Sequence, residues 1–165
     1  MAADNKGHYK TFGRRRSLRL IGQDYSETRA YHVTWDTHKR TARLASRPLA
    51  SEVLRTLEQE ARRTQTDLYA YCVMPDHVHV LLQCHGADLI QYIQAVKGKT
   101  TRSYWKLNGE GKLWQRGFYD HALRTEESIR GIAHYILANP VRAGLVEEFK
   151  DYAFSGSTVF KLEEL

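Results

Sequence analysis

The clearest pattern of apolar and polar positions runs from Leu68 to Cys84, LYAYCVMPDHVHVLLQC. Two short apolar runs meet there at Pro75-Asp76, where proline pre-sets φ for a turn and aspartate suits the place beside it, so the stretch predicts a tight β-hairpin. On its second strand Val78, Val80 and Leu82 alternate with His77 and His79. Residues two apart share a face of a strand, so the apolar set meets a core and both imidazoles project side by side from the other face, roughly 7 Å apart at Cβ. Cys84 has the apolar parity and is not expected to join the histidines in a zinc cluster.

Upstream, Arg29 to Asp36 alternates, with Tyr31, Val33 and Trp35 on one face and His32 and Thr34 on the other, which predicts a first strand. After a polar connector, Thr37 to Arg47, Pro48 opens a helix to about Arg63, where Val53, Leu54, Leu57 and Ala61 form one apolar stripe. A second helix is predicted from about Ala87 toward Leu107, with Leu89, Ile90, Ile93 and Val96 inward and Lys97, Lys99, Arg102 and Lys106 outward. A turn over Asn108 to Gly111 leads to a strand around Phe118 to Leu123. The order β-α-β-β-α-β is that of a ferredoxin-like antiparallel sheet, an α+β fold with both helices on one face and the first and third strands adjacent in the centre. The histidine strand is the third.

A further helix follows this sheet, in TEESIRGIAHYILANP. Thr125 is its expected N-cap, Glu126 and Glu127 suit the first turn, and Pro140 is expected to end it just after Asn139. Ile129, Ile132, Ala133, Ile136 and Leu137 make its core stripe. At about 100° per residue, Tyr135 and Asn139 fall together on one flank of that stripe. A helix laid across the free face of the sheet would let that flank overhang the histidine pair.

The chain of 165 residues is expected to form one domain, and its two cysteines do not make a disulfide framework. No apolar stretch reaches signal-peptide or membrane-span length, so a cytoplasmic protein with no membrane partner is expected. The net charge of +6 changes the picture more, because the cations are grouped. Arg14, Arg15, Arg16 and Arg19 form a basic arm, and Lys97, Lys99, Arg102 and Lys106 surround Tyr104 and Trp105, a combination suited to a nucleic-acid backbone and stacked bases. Gly98-Lys99-Thr100 is no phosphate loop, because the glycine required five residues earlier is Ile93. Two imidazoles can share a divalent ion, and a phenol beside such an ion can act as a nucleophile on phosphorus.

Three segments, YCVMPDHVHVLL at 71 to 82, WQRGFYDHALR at 114 to 124 and HYILANPVRAGLV at 134 to 146, carry a resemblance to the single-tyrosine HUH transposases, closest to the REP-associated tyrosine transposases. The resemblance implies a metal-dependent transposase, a DNA strand transferase for single-stranded substrates. In it His77 and His79 hold Mg²⁺ or Mn²⁺, Val78 is the hydrophobic middle position, and Tyr135 is the nucleophile that forms a 5′-phosphotyrosine and frees a 3′-OH. Related insertion-sequence transposases place a glutamine four residues after the tyrosine as third ligand; here that position is Asn139, with Asp76, Asp120 and His121 as alternatives.

Members of the REP-associated branch recognise short hairpins, so hairpin or single-stranded DNA is the expected partner. Arg14, Arg15, Arg16, Arg19, Lys97, Lys99, Arg102, Lys106 and Arg116 are the expected contacts, and a monomer is favoured over a helix-swapped dimer. The implied organisation is a basic arm over 1–28, the transposase domain over 29–146 and a C-terminal tail over 147–165, which either packs back on the domain or covers the site. Two other activities fit the same residues: hairpin binding without cleavage, and a metal-dependent nuclease that uses water. A ferredoxin-like RNA binder is a third reading.

Overall fold

A computed structural model describes residues 29–124 and 128–165. The expected basic arm, and the expected cap at Thr125 with Glu126 and Glu127, lie outside the described residues. Strands β1 (Ala30–Asp36), β2 (Thr66–Val73), β3 (His77–Cys84), β4 (Tyr119–Ala122) and β5 (Ser155–Gly156) form one antiparallel sheet in the order β4-β1-β3-β2-β5. Its first four strands have the expected ferredoxin-like order, and β5 extends it beyond β2.

Period-two patterning sets which face each residue serves. Tyr31, Val33 and Trp35 of β1, with Val78, Val80 and Leu82 of β3, are buried under helices α1 (Arg47–Arg63) and α2 (Leu89–Lys106). Asp88 caps α2, its carboxylate accepting from the Gln91 amide at 2.7 Å. On the opposite face Ala70, Cys72, Met74 and Leu81 form a second core with Ile132, Ala133, Ile136 and Leu137 of helix α3 (Ile129–Leu137). The third helix thus crosses the free side of the sheet, over β2 and β3.

Helix α3 is shorter than the sequence pattern predicts. Ser128 is its cap, accepting from the Gly131 amide at 3.1 Å, and the helix stops at Leu137. Pro140 does not end it after Asn139; it lies in the first turn of a separate short helix, α4 (Asn139–Arg142), where a proline loses no hydrogen bond.

Residues 147–165 return to the sheet. Phe149, Tyr152, Phe160, Leu162 and Leu165 pack on the core beneath α3, and the Val73 amide donates to the Phe154 carbonyl at 2.8 Å. The hairpin tip is pinned as well, because the amide of Thr37, fully buried, donates to the Asp76 carbonyl at 2.9 Å, while its hydroxyl is shared between the Thr41 carbonyl (2.6 Å) and that of Asp76 (3.0 Å). The strand that carries the histidines is therefore fixed at the end where they emerge. No described helix is long and apolar enough to cross a membrane.

Candidate functional site

On β3, His77 and His79 share a face with Leu81, which packs under α3. The two rings converge, with their Nε2 atoms 3.0 Å apart. The outer nitrogens show how each ring is held. His77 Nδ1 donates to Asp76 Oδ1 at 2.6 Å, and His79 Nδ1 faces Thr34 Oγ1 at 2.9 Å and His32 Nε2 at 3.2 Å. The Asp76 carboxylate can only accept, so it places the His77 proton on Nδ1 and leaves the His77 Nε2 lone pair facing His79 Nε2. With the His79 proton on Nδ1 as well, the two Nε2 lone pairs converge on a place for one cation.

The donors fit a small divalent ion. Two nitrogens 3.0 Å apart, each about 2.1 Å from an ion, subtend roughly 90° at it, the angle between neighbouring ligands of an octahedron. Asp76 then plays the part of an outer carboxylate that fixes a ligating imidazole. Burial would raise the Asp76 carboxyl, but its bond to His77, that ring's charge and the Arg40 guanidinium outweigh burial and hold it below the usual range. Arg40 has left-handed backbone (φ 53°), and its Nη2 lies 3.3 Å from Asp76 Oδ2 and 3.4 Å from His77 Nδ1.

Burial, then the neighbouring charges of His77, His32, Arg142 and Arg40, keep His79 well below the ordinary imidazole range and therefore neutral, the form that binds metal. His32 is pushed down to about 4, by burial first and by His121 second. In the β1–β4 register His32 lies opposite His121, and Thr34 lies opposite both His79 and Tyr119. A polar strip thus crosses three strands on the face that α3 covers.

Tyr135 is half-buried at the margin of the core under α3. The Arg142 guanidinium carbon lies 4.0 Å from its ring centroid, and Arg142 Nη2 donates to the Tyr135 carbonyl and to Asn139 Oδ1, both at 2.8 Å. The same arginine is felt electrostatically by His79 and by Cys72. One cation therefore links the tyrosine to the histidine centre. The Asn139 amide is turned to the C-terminal end of α3, Nδ2 donating to the Ile136 carbonyl at 2.9 Å.

Of the alternative third ligands, Asp120 pairs with Val33 in the register, so it belongs to the opposite face of the sheet. Asp76 engages the outer nitrogen of His77, and His121 neighbours His32. Among the described residues no third histidine, cysteine, aspartate or glutamate completes a metal-binding cluster with the pair.

The basic set divides. Lys97 is not outward as expected: Nζ donates to the carbonyls of Gln115 and Gly117, both at 2.8 Å, and burial pushes it down to about 8. Lys99 is ion-paired with buried Glu60. Arg102, Lys106 and Arg116 are exposed, while Arg14, Arg15, Arg16 and Arg19 lie outside the described residues. Tyr104 is core, its hydroxyl donating to the Glu110 carbonyl at 3.0 Å, whereas Trp105 is 54% exposed.

His32, Thr34, Arg40 and Arg142 were not singled out by sequence reasoning. A signal existed for the first two, since β1 alternation puts them on its polar face and the fold puts β1 beside β3. The two arginines lie in a loop and in a short helix after a proline, where no periodicity reports position.

Fold and site together define a small α+β domain with a mid-sheet histidine pair on the face crossed by a tyrosine-bearing helix. The chain belongs to the family described as "Transposase IS200 like", whose profile matches residues 26–139. It is similar to the REP-associated tyrosine transposase of Escherichia coli K12, at 29% identity over 140 residues, covering 79% of this chain and 81% of that one. It is also 34% identical over 98 residues to a Haemophilus influenzae protein described as a REP-associated tyrosine transposase, a match to 52% of this chain and just over half, 56%, of that one. Among solved structures, one described as the REP-associated tyrosine transposase bound to a REP hairpin shares the fold, with a TM-score of 0.67 at 23% identity over 81% of this chain and 79% of that one.

Proposed function

We propose that this chain is a metal-dependent transposase that cleaves and rejoins single-stranded DNA beside palindromic hairpins, with Tyr135 as nucleophile. The observation that carries the reading is the 3.0 Å approach of the His77 and His79 Nε2 atoms, on the sheet face crossed by the helix that bears Tyr135. His77 and His79 would hold Mg²⁺ or Mn²⁺, which when bound polarises the scissile phosphate and disperses its developing charge.

The phenolic oxygen of Tyr135 attacks phosphorus, the bond from phosphorus to the 3′ oxygen breaks, and that oxygen takes up a proton. The products are a 5′-phosphotyrosine and a free 3′-OH. Attack of a 3′-OH on the phosphotyrosine rejoins DNA and returns the phenol, and since one phosphoester replaces another, no nucleotide triphosphate is needed. Arg142, stacked on the Tyr135 ring, limits the ring's wander before attack. Asn139 Oδ1 accepts from Arg142 with one lone pair and would offer the other as third ligand.

The hairpin named with the relative's structure, together with the net charge of +6, supports a DNA partner here, met by exposed Arg102, Lys106 and Arg116 and by the arginine arm. A monomer in the cytoplasm is the simplest setting. The test is an oligonucleotide hairpin with a single-stranded flank incubated with protein and Mn²⁺. An SDS-stable protein-DNA adduct that disappears with Tyr135→Phe and with EDTA is expected. Binding without adduct would leave a hairpin-binding protein, and cleavage that survives Tyr135→Phe would leave a nuclease that uses water.

A further inference from the structure

Away from the histidines, a cleft of about 600 Å³ opens between α2 and the loop over residues 109–118. Its walls are largely apolar, including Ile93, Trp105, Leu113, Trp114 and Phe118. Lys97, Arg102, Lys112 and Arg116 also line it, and no carboxylate does. An apolar slot whose charged lining is all cationic matches a ligand with a flat unsaturated body and an anionic tether. A duplex hides its base faces; a single strand offers them.

The aromatic surfaces are held in place before any ligand arrives. Trp105 keeps its ring more than half exposed, yet its Nε1 donates to the Gly111 carbonyl at 2.9 Å, which fixes the indole. Trp114 donates to Thr100 Oγ1 at 2.9 Å and meets Trp35 edge-on. Lys97 fastens the far wall through the Gln115 and Gly117 carbonyls. An exposed tryptophan with a fixed ring costs solvation without adding to the core, and it suits a stacking platform.

The cleft also has a route to the histidine centre. The Gln115 amide donates to the Asp36 carbonyl at 2.9 Å, and Asp36 lies opposite His77 in the sheet register. Gln115 and Arg116 line both this cleft and a smaller hollow that continues to Tyr119, whose partner across the register is Thr34. A strand seated in the cleft would pass over this loop toward the paired imidazoles.

We propose that this cleft is a nucleobase-binding subsite, in which an unpaired base stacks on Trp105 while Arg102, Lys112 and Arg116 neutralise the flanking phosphates. The inference rests on the DNA partner proposed above, but not on the chemistry of Tyr135.

The test uses the full chain in EDTA at fixed salt, with a short labelled oligothymidylate and a duplex of equal length as probes. Trp105→Ala should weaken the single strand about tenfold, the scale of one lost base stack, and leave the duplex unchanged. Trp105→Phe should recover most of the loss, which a merely structural tryptophan would not predict. Equal weakening of both probes, or of neither, overturns the subsite. The adduct assay run beside it separates the two readings, because loss of adduct with the single-strand discrimination intact sinks only the transposase chemistry.

Discussion

The Arg142 guanidinium lies over the ring of Tyr135, 4.0 Å from its centroid, and donates to the carbonyl of the same residue at 2.8 Å. The contact couples α4 to α3, so the cation fixes the tyrosine from outside its own helix. A cation over an aromatic face is worth about 0.5–2 kcal/mol, and orientation lost before attack appears directly in the rate. Arg142→Ala is expected to slow adduct formation about tenfold. Because Arg142 is exposed, its melting temperature should move by only a few degrees, and a rate unchanged beside a large stability loss would contradict this role.

Metal-free stability should fall between neutral and mildly acidic pH. In the fold His32 is pushed down to about 4 and His79 is also depressed, whereas a free imidazole titrates near 6.5. The unfolded chain therefore binds more protons than the fold in that window, so stability is complete above pH 6.5 and is lost as pH drops through it. His32 alone can account for about 2 kcal/mol between pH 6.5 and pH 5. Urea unfolding in EDTA at several pH values between 7.5 and 5 should show the slope, and His32→Gln should flatten it. Holding above pH 5 keeps the carboxylates out of the measurement.

Much of this arrangement was legible in the sequence because period and parity report faces. Alternation fixed the inward set on β1 and β3, and with it the side on which His77 and His79 emerge. The helix stripe through Ile132, Ala133, Ile136 and Leu137 announced a face that must be buried, and only the free side of the sheet remained for it. Lys97 was misread because helical angle gives direction but not what a later loop will place there; the Gln115 and Gly117 carbonyls come from that loop. Arg142 went unseen for a similar reason, and the sequence left residues 147–165 open between packing back on the domain and covering the site, since both depend on contacts without a repeat.

Gly156 tests whether the C-terminal segment holds the helix that bears Tyr135. A Cβ built there would lie 2.5 Å from the Tyr71 hydroxyl, which itself donates to Glu58 Oε1 at 2.5 Å, so the ring cannot withdraw without breaking that bond. Gly156→Val should cost about 1–3 kcal/mol by overpacking and release β5 from β2. Since Phe149, Tyr152 and Phe160 pack in the same core as α3, amide exchange should quicken in α3 as well as in β5. Faster exchange in β5 alone would mean that the segment decorates the domain and does not brace the tyrosine.

The histidine pair should respond unequally to truncation. An ion held only by the fold stabilises it by about 2.7 kcal/mol at a hundred times its dissociation constant, several degrees of melting temperature for a chain this size. Mn²⁺ should produce that shift in the wild type, and His77→Ala and His79→Ala should both abolish it, since each supplies one of two converging nitrogens. Without metal the two variants should part. His79 joins Thr34 and His32 across β1, so its removal strands two polar partners in a half-buried strip, while His77 leaves behind Asp76, which retains Arg40. His79→Ala should therefore melt lower than His77→Ala in EDTA. Equal metal-free melting would mean that the β1 contacts do little to set the ring, and a Mn²⁺ shift surviving either substitution would place the ion elsewhere.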